Sequence, residues 1–326
     1  MKKKLALFFF VIATAGIFVL WQSRQIKVPD TFRIGVVSFT AIDKVTFAGF
    51  KEGMERLGYK EEGNSVEYLF EGVNGDRALF PSSIEKVIAF QPDLIFVSST
   101  PATQAVQEAT RQNRIPVVFG PVNDPLAAGI VKDIRHPSGH ITGIRLSPSD
   151  ARRLQLFQQL APDSRNLFLP YYPDDNSSVA SLTQIMSESE KLGINIIAGK
   201  ILKDEDLAHA LLELPEKVDG IFLPRDSRVE RKIDKWVALS LRYKIPLCAP
   251  SRLQIDHGAL FSYGFSHRRI GQQAARLAAQ ILQGADPGIL PVEAAENLSF
   301  LNMKTAKAIN LDLPDKILRQ MHEIIR

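Results

Sequence analysis

Asp93-Leu94-Ile95-Phe96-Val97 is a short apolar run followed by a polar turn, a helical stretch and then Arg114-Ile115-Pro116-Val117. The same order recurs as Asp219-Gly220-Ile221-Phe222-Leu223, a polar turn, a helical stretch and Lys244-Ile245-Pro246-Leu247. Leu57-Gly58-Tyr59 and Leu192-Gly193-Ile194, each placed to close a helix before a strand, extend the match in the same order. Repetition on the scale of a whole domain predicts two lobes of one topology, not a solenoid.

Working outward, short apolar runs alternate with longer helical patterns. Strands are expected at Phe32–Ser38, Val66–Phe70, Leu94–Ser98, Val117–Phe119, Asn166–Leu169 and Ile194–Ala198. Helices are expected at Thr46–Leu57, Leu79–Phe90, Pro101–Gln112, Ser149–Leu160 and Ser178–Leu192. Strands that alternate with helices of ten or more residues indicate βαβ units and parallel sheets. The fold class is therefore α/β, with two similar doubly wound parallel-sheet lobes and a ligand cleft between them.

Composition narrows the function. The 326 residues are 45% apolar and 23% charged, which excludes a disordered chain and a multi-span membrane protein. There are 40 Lys and Arg against 36 Asp and Glu. The four extra bases, Lys2, Lys3, Lys4 and Arg24, all lie in residues 1–25, which hold no acid. The body is neutral, so it has no broad electrostatic footprint for nucleic acid.

Three lysines precede Leu5–Trp21 (LALFFFVIATAGIFVLW), a run without charge. As a helix it would span about 26 Å, slightly less than the roughly 30 Å of a hydrocarbon core. Residues 1–25 are expected to be an N-terminal membrane helix, a signal anchor that leaves Met1 in the cytoplasm and carries the body across the inner membrane to its periplasmic side. The alternative is a cleaved signal peptide with Ala13-Thr14-Ala15 as its small-residue site, although Ile17–Trp21 continues the apolar run beyond it. No cysteine stands near the end of the run to accept a lipid.

Cys248, the single cysteine, sits in Ile245-Pro246-Leu247-Cys248, which reads as a buried strand end with no local base to activate a thiol. His136 and His140 have the spacing of helical metal ligands, but Pro137 and Gly139 break any helix between them. No Walker loop, GxGxxG fingerprint, GxSxG elbow or CxxC pair occurs. Neither a metal nor a cofactor is expected, and no catalytic constellation is present.

Ligands of open parallel sheets bind beyond the carboxyl ends of the strands. The repeat therefore pairs Ser98-Ser99-Thr100-Pro101 with Pro224-Arg225-Asp226-Ser227, and Gly120-Pro121-Val122-Asn123-Asp124 with Ala249-Pro250-Ser251-Arg252. These loops suit a small polar or zwitterionic ligand. Ser99 and Thr100 precede Pro101 at a helix start, where hydroxyls and free amides can hold a carboxylate, or merely cap the helix. Asn123 and Asp124 form a turn with Pro125, and Asp124 is a candidate partner for a ligand ammonium. Asp226 and Ser227 occupy the matched loop, with Asp226 either a cap or a ligand contact, and Ser251 occupies the other. Tyr171 and Tyr172 could stack on a flat ligand group, more so than Phe39 and Phe47.

With these residues in view, the chain resembles the substrate-binding proteins of ABC importers, in the group linked to tryptophan or tyrosine, which have a type I periplasmic-binding-protein fold. The resemblance runs through Gly49-Phe50 to Leu57-Gly58-Tyr59, Pro92-Asp93-Leu94-Ile95, Thr100-Pro101-Ala102, Ile115 to Phe119, Asn123-Asp124-Pro125, Ala128 to Val131 and Ile141-Thr142-Gly143. It continues through Val218 to Ile221, Gly258-Ala259-Leu260, Gly264 with Gly271, Ile281 to Gly284 and Leu311 to Pro314, covering roughly residues 32–326. It implies a non-enzymatic solute-binding protein, with a permease and an ATPase on separate chains, and places Thr100, Asp124 and Asp226 at ligand-contacting positions. It also implies two lobes joined by three connections, residues 31–146 with about 257–290 and residues 147–256 with about 291–326. Relatives commonly pair Asp with Asn where this chain has Asp226-Ser227, and have Asn-Pro near Tyr171-Tyr172-Pro173. An altered cleft chemistry is expected. The alternative output is a sensor that reports ligand to a membrane signalling partner, which an uncleaved anchor would suit.

Overall fold

The first lobe is built in the order that the periodicity requires. It runs β1 (Phe32–Ser38), α1 (Asp43–Arg56), β2 (Val66–Gly72), α2 (Phe80–Ala89), β3 (Leu94–Ser98), α3 (Thr100–Ala109), β4 (Val117–Val122) and β5 (Ile141–Arg145). This computed structural model describes residues 31–326 apart from positions 64, 213, 215 and 216. The expected anchor at residues 1–25 lies outside the described residues. Among the described residues no helix is long and apolar enough to cross a membrane.

The second lobe repeats the plan. It comprises α4 (Asp150–Leu160), β6 (Asn166–Tyr171), α5 (Asn176–Leu192), β7 (Asn195–Lys200), α6 (Asp204–Leu212), β8 (Gly220–Phe222), α7 (Ser227–Glu230), α8 (Ile233–Tyr243), β9 (Leu247–Ser251), α9 (Arg252–Asp256) and β10 (Phe261–Phe265). The chain then returns through α10 (His267–Leu282) and β11 (Glu293–Ala294), and ends with β12 (Leu298–Asn302), α11 (Met303–Ala308), α12 (Asp315–Leu318) and β13 (Glu323–Ile325).

The first sheet has the order β11-β5-β4-β3-β1-β2 and is parallel throughout. The second has the order β13-β12-β10-β9-β8-β6-β7. The runs β4-β3-β1-β2 and β9-β8-β6-β7 match strand for strand, which is the repeat seen in sequence. Every residue of β3 is buried because helices cover both faces of the sheet. Leu94 and Phe96 pack with Phe50, Met54 and Ala274 on one face, and Ile95 and Val97 pack with Ile84, Val87 and Val106 on the other.

The chain passes between lobes three times, at Leu146–Ser149, at Ser266 and at Ala295–Asn297. The second passage lies nine residues beyond the boundary expected near 257, and the third begins four beyond the one expected near 291. Gly258, at φ +108°, ends α9 and turns the chain into β10, a strand of the second sheet. Such a turn and a lobe boundary read alike in sequence. Two strands also run against the rest of the second sheet, because β12 is antiparallel to β10 and β13 is parallel to β12. The last passage enters from the strand tips of the first sheet, so the chain must run away from the tips of the second.

Two glycines let α10 sit against α1. A Cβ at Gly49 would run into the Arg268 carbonyl, and one at Gly271 into the Thr46 carbonyl. This close approach completes the first lobe's core with Ile270, Ala274, Leu277 and Ile281.

Candidate functional site

The strand tips of both sheets face one cavity of about 70 Å³. On the first-lobe side, Asp43 closes the turn after β1. Its Oδ2 accepts from the backbone N–H groups of Phe39 and Thr40 at 2.9 and 2.8 Å, and its Oδ1 accepts from the Ser98 hydroxyl at 3.0 Å. Burial raises the pKa of this carboxyl against those hydrogen bonds.

After β3, Ser99 adopts φ +81° and ψ 153°, a region that residues with a Cβ rarely enter. Its carbonyl is held by the Thr103 amide and hydroxyl at 3.1 and 2.6 Å. Its own hydroxyl caps nothing; it is buried beside the cavity with no partner among the described residues. Thr100 Oγ1 accepts from the Asn123 N–H at 3.4 Å, tying the loop after β3 to the loop after β4.

On the second-lobe side, Arg225 is fixed from behind. It donates to Asp150 Oδ2 at 3.0 Å and to the Ser147 carbonyl at 3.2 Å, while Arg153 donates to Asp150 Oδ1 at 2.8 Å. Asp226 Oδ1 accepts from the N–H groups of Arg228 and Val229 at 2.7 and 3.4 Å, but its Oδ2 is buried without a partner among the described residues. Burial, then the charge of Asp175, pushes the Asp226 carboxyl up to about 6 against the pull of Arg228. His267 Nδ1 lies 3.1 Å from the Thr46 hydroxyl and its Nε2 is unpartnered among the described residues. Burial lowers that imidazole to about 4, so it is neutral at pH 7.

The cavity thus gathers Ser99, Thr100, Asn123 and Asp226 from among the residues singled out in the sequence. Others are elsewhere. Asp124 is exposed and spends Oδ1 on the N–H groups of Leu126 and Ala127, as a turn residue does. Tyr171 packs at the edge of the second lobe's core, and Tyr172 is buried with the Arg228 guanidinium 3.7 Å from its ring centre, so its ring does not face the cavity. Ser251 forms a capping box with Gln254 behind the wall. Ser227 opens α7, and its side chain lies outside the described ones.

Thr40, Asp43, Glu230 and His267 line the cavity although the sequence reading passed over them. Two carried a usable signal. Asp43 follows the first strand tip, and Glu230 stands four residues after Asp226, in the helical stretch that follows its loop. His267 gave none, because its position depends on the second passage between lobes.

This architecture is that of the two-lobed binding proteins. The ABC domain from Streptococcus pneumonia in complex with L-Trp superposes with a TM-score of 0.83 at 23% identity, over 90% of this chain and 100% of that one. The ligand-free, open structure of a substrate binding protein with adhesive properties from Clostridium difficile gives 0.69 at 24% identity, over 90% and 99%. A tyrosine-binding protein from Clostridioides difficile (strain R20291) is 26% identical over 277 residues, 85% of this chain and 79% of that protein. The family model for ABC transporter substrate binding proteins matches residues 34–325, and the chain belongs to that family. It is the extracytoplasmic, non-enzymatic solute-binding component of an ABC import system.

Proposed function

We propose that the cleft captures a small amino-acid-like ligand. The carboxylate would sit at Ser99 and Thr100, at the positive end of α3, and the ammonium at Asp226. The observation that carries this reading is the set of partnerless polar atoms, Ser99 Oγ from one lobe and Asp226 Oδ2 from the other, beside one cavity. The relatives that bind tyrosine and L-Trp support an amino-acid ligand. A single buried water needs roughly 10–15 Å³. The cavity therefore suits a ligand's charged head, and a large side chain enters only with the lobes further apart.

Two contacts hold the lobes together at the cleft mouth. Arg77 Nη2 lies 3.7 Å from Asp175 Oδ2, and Arg231 donates to the Asn74 carbonyl at 3.4 Å. Capture proceeds by closure over the ligand, driven by its higher affinity for the closed form. The closed form is what the permease recognises; permease and ATPase are separate chains, and residues 1–25 tether the protein to the inner membrane. Native mass spectrometry of the purified protein, with identification of any released small molecule, tests the ligand class. Release of an amino acid supports it, and a co-purified sugar or nucleotide defeats it.

A further inference from the structure

We propose that Glu230 is a specificity-determining residue of this cleft, which receives the ligand's ammonium group on the oxygen not bonded to Gln254 and gives up a proton as the ammonium arrives. The inference rests on the reading of the cleft as an amino-acid site.

Glu230 ends α7, one turn beyond Asp226, so the two carboxyls share a face. Its side chain lines the cavity and is oriented from behind by Gln254 on α9. Gln254 Oε1 accepts from the Ser251 N–H at 3.1 Å and from the Ser251 hydroxyl. The amide's other end must then donate, and it does so to Glu230 Oε2 at 2.6 Å. That bond takes Oε2 and leaves Oε1 outside the Gln254 contact.

Among the described residues no cation pairs with this carboxyl. Arg153 on α4 and Arg225 on the loop after β8 are both committed to Asp150, and Arg228 on α7 is committed to Asp174. His267 at the start of α10 is neutral at pH 7. The other charged groups around the cavity are acids. Asp226 lies on the same turn, Asp175 precedes α5, and Asp43 faces it from α1 of the opposite lobe. Glu230 is 6% exposed, Asp226 2% and Asp43 4%, so water screens none of them well. Burial first, with the negative charges of Asp226 and Asp43, pushes Glu230 up to about 8 against the Gln254 hydrogen bond and Arg153.

Before a ligand enters, Glu230 is therefore a carboxylic acid at pH 7. When an ammonium enters beside Asp226, the Glu230 O–H bond breaks, the proton leaves to solvent, and the carboxylate pairs with the ammonium, whose N–H bonds stay intact. Asp43 then also faces a cation in place of another acid. Closure is favoured with the cation present and opposed without it.

Calorimetric titration of the full chain with L-tyrosine and with L-tryptophan, in two buffers of different ionisation heat at pH 7, reads the proton directly. Close to one proton should be released per ligand bound, and affinity should rise about tenfold per pH unit between pH 6 and 7.5. Asp226, at about 6, is largely ionised at pH 7 and adds little to the release. Glu230→Gln keeps the contact with Gln254 and should bind without releasing the proton, with affinity at pH 8 at least tenfold weaker than wild type. Binding without proton release by the wild type overturns the inference, whether or not the variant folds, and so does equal release by Glu230→Gln. Failure of both amino acids to bind overturns this inference together with the amino-acid reading of the cleft.

Discussion

Asp150 Oδ2 accepts from Arg225 Nη2 at 3.0 Å while its Oδ1 accepts from Arg153 Nη1 at 2.8 Å, and the side chains of Asp150 and Arg153 are wholly buried. The hydroxyl of Ser181 on α5 donates to the same carboxylate at 3.0 Å. One acid thus pins α4, α5 and the loop after β8. Asp150→Ala leaves two guanidinium groups buried without their anion, and a loss of about 3–5 kcal/mol is expected in urea unfolding. A loss below about 1 kcal/mol would mean that the cluster is not holding the loop.

Asp226 and Thr100 should control affinity where Asp124 does not. Hydrogen bonds to charged groups contribute about 1.5–3 kcal/mol, so Asp226→Asn should weaken an identified amino-acid ligand by roughly 10–100-fold. Thr100→Ala should weaken it by a smaller factor, and Asp124→Asn should leave it unchanged. Titration calorimetry on the three variants checks the order. Unchanged affinity in both Asp226→Asn and Thr100→Ala would remove the site from this cavity.

The contacts at the cleft mouth should tune the balance between open and closed forms without touching the fold. Exposed ion pairs contribute at most about 1 kcal/mol. Arg77→Ala with Arg231→Ala should therefore lower the ligand-free closed population several-fold while Tm moves little. Distances between spin labels on the two lobes report that population, and an unaltered distribution would show that these contacts are incidental.

The thiol of Cys248 is buried in β9, and burial pushes it up to about 11. At pH 8 it is protonated and shielded, so a thiol reagent should label the folded protein only as fast as the strand opens. Addition of urea beyond the unfolding midpoint should make labelling immediate. Rapid labelling of the native protein would contradict the buried assignment.

Glu230 also imprints the pH dependence of stability. Its carboxyl, about 8 when folded, ionises at an ordinary value near 4.5 when unfolded. Between those limits the folded state binds more protons, so this contribution to stability is full below about 4.5 and is lost as pH rises toward 8. His267 sets the acid limit. Its folded value of about 4 against an ordinary 6.5 means that stability falls as pH drops through that window. Glu230→Gln should match the wild type in Tm at pH 4 and exceed it by several degrees at pH 9. A constant difference across pH would refute this.

Much of the fold could be read from the sequence because the central strands are buried on both faces, which writes them as continuous apolar runs. Phe32–Ser38 and Leu94–Ser98 have the expected ends. Gly58 at φ +94° and Gly193 at φ +65° both follow helix ends, with the next residue's N–H returning to Met54 and Ser189, so the paired Leu-Gly signals reported real caps. Helix starts were less legible. The expected Thr46 start for α1 lies three residues after Asp43, because Ile42, the residue before the helix, offers no side-chain cap to read. Of the residues picked out through the repeat, Ser99, Thr100 and Asp226 line the cavity. Asp124 and Tyr172 lie outside the cavity, one a turn carboxylate and the other a ring beneath an arginine, and neither setting shows in the sequence. His267 was invisible because chain passages between lobes decide its neighbourhood.

The seating of α10 on α1 dictates when the first lobe can finish. Its β1-to-β5 sheet is synthesised first, yet the face that buries Phe50 and Met54 stays uncovered until residues 267–282 have been made. The half of the molecule that emerges earliest from the ribosome or the export channel must wait for nearly the whole chain, so a chaperone has a defined apolar surface to guard in the interval.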